Sequence, residues 1–127
     1  MRPPDSPGGG GPRPLGPYAP LREAGGWVAV SGQIGLTREG ALIAGGIKEQ
    51  TRRALENTAA LLEAAGLDLS AVVKTTVFMT DLSEFEAVNE IYARFFKPPY
   101  PARSTVQVCA LPRGARVEIE SLARRSH

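Results

Sequence analysis

The sequence predicts an α+β fold in which a single β-sheet carries two helices on one face. Three observations lead there. Two stretches of helical spacing flank a valine- and threonine-rich run, β-prone segments precede and follow them, and two helices are too few to cover both faces of such a sheet. The predicted order is β, β, α, β, α, β, β.

Trp27-Val28-Ala29-Val30-Ser31 is β-prone and ends at Gly32. Alternation puts Trp27, Ala29 and Ser31 on one face and Val28 and Val30 on the other. A turn-rich stretch around Thr37 to Gly40 then leads to a short strand expected at Leu42-Ile43. From Ile47 onward Thr51, Ala54, Leu55, Thr58, Leu61, Leu62 and Ala65 recur at three and four, and Gly66 stands where a left-handed C-terminal cap belongs. The next strand, Val72 to Thr80, has Val73, Thr75, Val77 and Met79 on one face and Lys74, Thr76, Phe78 and Thr80 on the other. Ser83-Glu84-Phe85-Glu86 reads as a capping box opening a second helix. Its apolar face is Phe85, Val88, Tyr92, Phe95 and Phe96, and Pro98-Pro99 stop it for want of an amide donor. Two closing strands, Arg103 to Ala110 and Arg116 to Ala123, are joined by Leu111-Pro112-Arg113-Gly114-Ala115, a connection that suits an antiparallel hairpin.

A chain of 127 residues suits one core. Residues 1–14 are so rich in glycine and proline that ordering them offers little burial in return, so they are expected to form a disordered tail, with one domain over 15–127. The glycine run Gly8 to Gly11 follows no strand and opens no helix, so it is not read as a phosphate loop. No apolar run approaches the ~20 residues of a membrane span. A net charge of +2 on scattered basic residues gives nucleic acid little support. One cysteine makes no internal disulfide, and the start lacks an apolar signal core, so a cytoplasmic location is expected. The only histidine is His127, which with one cysteine leaves no ordinary zinc ligand set and no Ser-His or Cys-His nucleophile.

In the expected hairpin, alternation puts Arg103, Thr105 and Gln107 on one outer face together with Glu118 and Glu120, while Val106, Val108, Val117 and Ile119 pack under the helices. From this pattern alone, a solvated face with a cross-strand ion pair is the simpler reading. Against it stand Trp27, Ala29 and Phe78, which make the outer face half apolar and point to burial against another subunit. A partly desolvated arginine and glutamate suit a site for a small anion.

Leu15-Gly16-Pro17-Tyr18, Val30-Ser31-Gly32-Gln33-Ile34, Asn57 to Gly66, Val73 to Phe78, Phe85 to Phe96, Pro101-Ala102-Arg103-Ser104 and Val117-Glu118-Ile119-Glu120 together resemble the Rid (reactive intermediate deaminase, YjgF) family, from about Leu15 to Ala123. The resemblance implies a chorismate-mutase-like fold and a homotrimer whose sheets form a central barrel, with a site in each cleft between subunits. It also implies cofactor-free, metal-free hydrolysis of reactive enamines and imines, of the 2-aminoacrylate and 2-iminopropanoate type, to 2-keto acids and ammonia. Arg103 would clamp the substrate carboxylate, a task for which a planar, permanently charged guanidinium is suited. Glu118 would position and deprotonate the attacking water, and Tyr18, Ser31, Gly32 and Asn89 would line the pocket. Thr105 stands where well-known members carry a cysteine that helps hold the water. A hydroxyl can make the same hydrogen bond, but the substitution leaves substrate range and subfamily open. Cys109, four residues beyond, is ~13 Å away and is expected to pack as a small apolar group. Two other functions stay open: a non-catalytic trimeric protein that binds small carboxylates, and an endoribonuclease or translation inhibitor, supported only by mild basicity.

Overall fold

The computed structural model describes residues 12–126. Residues 1–11 of the predicted tail, and His127, lie outside them. The strands β1 (Leu21–Ala24), β2 (Trp27–Gln33), β3 (Val72–Met79), β4 (Ala102–Gln107) and β5 (Val117–Arg124) make one sheet in the order β1-β2-β5-β3-β4. Only the β3–β4 pair is parallel. Helices α1 (Ile47–Ala64) and α2 (Phe85–Tyr92) both cover one face, as the shortage of helices required. Between them and the sheet lies the core, with Val28, Leu55, Leu62, Val77, Met79, Val88, Val117 and Ile119 essentially inaccessible to solvent. Burying such a side chain contributes roughly 1.5–3 kcal/mol, so the helix-facing residues of β2, β3 and β5 dominate the stability of the sheet.

Gly66 takes the left-handed conformation at φ 79°. Its amide and that of Leu67 bond back to Glu63 and Leu62, closing α1 in a Schellman motif. At the other end the Glu49 carboxylate accepts the Gly46 amide at 2.8 Å.

Five expectations are corrected. The hairpin of the last two strands does not form: β3 lies between β4 and β5, paired parallel to one and antiparallel to the other. The reason is topological. β3, α2 and β4 make a strand–helix–strand crossover, which returns the chain parallel beside its start, on the edge of the sheet. The faces of β4 are therefore reversed. Arg103, Thr105 and Gln107 stand in register with Thr75, Val77 and Met79 on the helix side, whereas Val106 pairs with Phe78 on the outer face and is 41% exposed. The strand expected at Leu42-Ile43 is a single bridge between Leu36 and Leu42. The first strand is instead β1, hairpinned to β2 through Gly25 and Gly26 at φ 59° and 83°, values a two-residue turn of this kind needs and glycine supplies. A bulge at Val72–Lys74 turns Val72 inward and Val73 outward. Finally, Ser83 caps nothing with its hydroxyl. Asp81 accepts the Ser83 amide at 2.9 Å and opens a short 3-10 turn, Leu82–Glu84, from which α2 continues.

Candidate functional site

Arg103 lies on the edge strand β4 and reaches under α2, where its Cζ sits 4.8 Å from the Tyr92 ring centroid and 5.4 Å from that of Phe85. Both are cation–π distances. Phe85, Asn89 and Tyr92 recur at four and three on one face of α2, which puts Asn89 between the two rings that hold the arginine. Thr105 is the next residue on the same face of β4. No described carboxylate forms an ion pair with Arg103. Its charge is held against aromatic faces, which leaves the planar N–H donors without an acidic competitor.

Glu118 stands elsewhere. It belongs to β5, in register with Phe78 of β3, and so faces away from the helices. Beside it, β2 carries a bulge between Val30 and Gln33 in which Ser31 and Gly32 together face the single residue Glu120 of β5. The bulge brings the Gly32 backbone against the carboxylate so closely that a Cβ there would lie 2.6 Å from Glu118 Oε2. Half-buried and near the like charge of Glu120, Glu118 has its pKa raised from its ordinary value, burial being the larger cause. The Ser31 hydroxyl donates to the Ala19 carbonyl at 2.7 Å and ties the bulge to the segment that carries Tyr18. The Tyr18 hydroxyl accepts the Leu15 amide at 3.2 Å, folding that segment back on itself. Together Leu15, Tyr18, Gly32 and Glu118 line a cavity of about 40 Å³.

The seven candidate residues thus fall into two groups. Arg103, Thr105 and Asn89 lie on the helix side at the sheet edge; Tyr18, Ser31, Gly32 and Glu118 lie around the outer face near the sheet centre. The single shared face expected for Arg103 and Glu118 is not observed, because β3 separates their strands and their side chains point to opposite sides. Three further residues, Phe85, Tyr92 and Gln107, have roles at the site that the sequence pattern did not assign. Phe85 and Tyr92 had been read as core, yet their seven-residue separation on one helix face was the available sign of a pair of rings able to hold one side chain. Gln107 had been placed on an outer face, whereas its Oε1 accepts the Leu82 amide at 2.8 Å and pins the entry to α2. Cys109, expected to pack as a small apolar group, is exposed, because β4 ends at Gln107. Trp27 and Val106 leave apolar surface on the outer face. No helix among the described residues is long and apolar enough to cross a membrane.

Residues 10–125 match the family model described as Endoribonuclease L-PSP. The human protein named 2-iminobutanoate/2-iminopropanoate deaminase is 45% identical over 113 residues, 88% of this chain and 82% of that protein. Among solved structures, RidA from the Antarctic bacterium Psychrobacter sp. superposes with a TM-score of 0.86 at 43% identity, covering 90% of this chain and 93% of its own. TdcF of E. coli with bound serine superposes with a TM-score of 0.85 at 42% identity, over 91% and 94%.

Proposed function

The chain belongs to the Rid (YjgF) family, and from that premise we propose that it is a cofactor-free deaminase hydrolysing small 2-imino acids, and the enamines that tautomerise to them, to 2-keto acids and ammonia. The observation that carries the reading is the division of the candidate residues. Arg103 is held without an acidic partner on one side of the sheet, and Glu118 is kept at a raised pKa on the other. Neither group neutralises the other within one chain, so each is available to a ligand. A complete site then needs two copies, Arg103, Thr105 and Asn89 from one and Tyr18, Ser31, Gly32 and Glu118 from the next. A homotrimer closes such a head-to-tail contact into a ring, and the apolar outer-face residues Trp27 and Val106 are suited to burial in it. The liganded relative supports the ligand class, since serine carries the α-carboxylate and nitrogen of an amino acid.

In this site Arg103 grips the substrate carboxylate through two parallel N–H donors. Water held by Glu118 and the Thr105 hydroxyl attacks C2 of the protonated imine. Glu118 takes the water proton as the C–O bond forms and returns it to the nitrogen. The C2–N bond then breaks, ammonia leaves, and loss of the hydroxyl proton gives the keto acid. A carboxylate whose pKa is raised suits both transfers better than an ordinary surface glutamate. The single cysteine fits a reducing compartment such as the cytoplasm.

The test is keto acid formation when 2-aminoacrylate is generated in situ, with light scattering for subunit count. Acceleration by the wild type and its loss in Arg103→Ala are expected. Saturable keto acid binding through Arg103 without turnover would replace the enzyme by a carboxylate-binding protein, and an Arg103→Ala variant of full rate would overturn the assignment.

A further inference from the structure

We infer that Tyr92 is a positioning residue for Arg103, locked in place by a buried hydrogen bond to Thr75. The inference rests on the carboxylate-holding role proposed for Arg103.

An arginine on an edge strand is hard to hold. Its strand has one neighbour, its side chain has four rotatable bonds, and no described carboxylate fixes this one. Two rings support it instead, and they differ in how firmly they are held. Phe85 opens α2 and is 38% exposed, whereas Tyr92, the closer ring, is 7% exposed. Tyr92 also stacks on Phe96 with ring centroids 4.5 Å apart. Its hydroxyl lies 2.8 Å from Thr75 Oγ1, and Thr75 is fully buried. Unpartnered burial of either hydroxyl would be costly, so the pair holds itself together.

The geometry makes this more than core packing. Thr75 is the residue of β3 in register with Arg103 on β4. The strand beside the arginine therefore fixes the ring beneath it, and ring and guanidinium share one frame. The Gln107 bond to the Leu82 amide ties the entry of α2 to the same strand β4. α2 is thus pinned near both ends to the two strands that meet at Arg103. A side chain held this way keeps its donors in one plane before a ligand arrives, which reduces the ordering cost of binding.

Three variants test this: Tyr92→Leu removes the ring, Thr75→Val removes the anchor in nearly unchanged volume, and Thr75→Ser restores a hydroxyl. The first readout needs no ligand: the 15N relaxation and proton shift of Arg103 Nε–H in the free protein. Tyr92→Leu and Thr75→Val are expected to increase its mobility and move the proton away from its ring-shifted position, and Thr75→Ser to recover both. The second readout is steady-state kinetics with in-situ imine, with pyruvate affinity alongside. Tyr92→Leu is expected to raise KM and the pyruvate Kd about tenfold, within the range of a partly desolvated cation–π contact, with kcat held within about twofold. Thr75→Val is expected to shift both constants about threefold, with rescue in Thr75→Ser. A variant with lowered Tm but wild-type Arg103 Nε–H signals and wild-type KM would reduce Tyr92 to a core residue and overturn the inference. If Tyr92→Leu does not fold, the two Thr75 variants decide. If wild-type protein neither binds pyruvate nor hydrolyses imine, the functional proposal falls, while the Nε–H signals of the free protein still decide this one.

Discussion

Replacing Gly32 by alanine separates the chemistry of Glu118 from the stability of the fold. The new Cβ would lie 2.6 Å from Oε2, 2.8 Å from Cδ and 3.0 Å from Cγ of Glu118. Reaching ordinary contact at 3.4 Å therefore requires the carboxylate oxygen to retreat by about 0.8 Å. The backbone does not resist, because Gly32 is not among the glycines with positive φ. What must move is the end of a flexible, half-buried side chain. An off-rotamer adjustment costs about 0.5–1.5 kcal/mol. It is largely offset by the ~0.4–1 kcal/mol that Gly→Ala contributes through the unfolded chain. Net stability should therefore change by no more than about 1 kcal/mol, a Tm shift of a few degrees. Activity should suffer far more, since misplacing a reacting group by ~1 Å can cost about 100-fold. Gly32→Ala is expected to fold with near-native Tm and to lose 10- to 100-fold in imine-hydrolysis rate, about 1.4–2.7 kcal/mol of transition-state stabilisation. Calorimetry and the keto acid assay on the same preparation read both quantities. A folded variant with wild-type rate would refute the placement of Glu118 as the base, whatever the fate of the other residues.

Other outcomes follow from the same geometry. Arg103→Lys keeps the charge but loses the planar pair of donors, so KM for 2-iminopropanoate should rise roughly 10- to 100-fold, the loss expected of a charged hydrogen bond worth about 1.5–3 kcal/mol; an unchanged KM in steady-state kinetics would sink the clamp. The rate should fall as pH drops through the raised pKa of Glu118, because protonation removes the base. Glu120→Gln, by deleting a like charge, should lower that pKa and move the acidic limb of the kcat/KM profile to lower pH. The folded state disfavours the Glu118 anion, so Glu118→Gln should raise Tm at neutral pH, with the gain vanishing below the ordinary carboxylate pKa where both states are protonated. Co-refolding inactive Arg103→Ala with inactive Glu118→Gln should restore activity. In random mixed trimers about a quarter of the interfaces pair an intact Arg103 with an intact Glu118, so specific activity near 25% of wild type is expected, and none if both residues act within one chain.

The parts of the fold legible in the sequence were those governed by local rules. α1 was readable from its spacing and from Gly66, and β2 and β5 from alternation that survives as buried Val28, Val30, Val117 and Ile119. The Thr75-Val77-Met79 face of β3 was equally plain. What failed was pairing, which is not local. Pro and Gly between Ala110 and Arg116 looked like a hairpin, yet the crossover through α2 puts β4 beside β3 and leaves that loop to cross to β5 on the far side. Inferring faces from the wrong partner then reversed Arg103, Thr105 and Gln107 together, since alternation preserves relative placement within a strand but not its sign. The sequence order β3, α2, β4 already favoured parallel pairing over the hairpin. Gly25-Gly26 likewise marked β1, but its four residues are too short for alternation to declare itself.

The reversed face of β4 also bears on how the proposed chemistry is tuned. Had Arg103 and Glu118 shared one face, as the hairpin would have made them, a neighbouring guanidinium would have pulled the Glu118 pKa down and weakened it as a base. The carboxylate would in turn have occupied the donors meant for substrate. With the two on opposite sides, burial and Glu120 keep the Glu118 pKa raised, and the Tyr92 and Phe85 rings hold Arg103 without competing for its N–H groups. In the proposed trimer the substrate carboxylate would pair with Arg103 before Glu118 of the next chain acts, so the cation would already be paired when the base is needed. On this reading, dividing the site between two chains keeps apart two charges that a single shared face would have let neutralise each other.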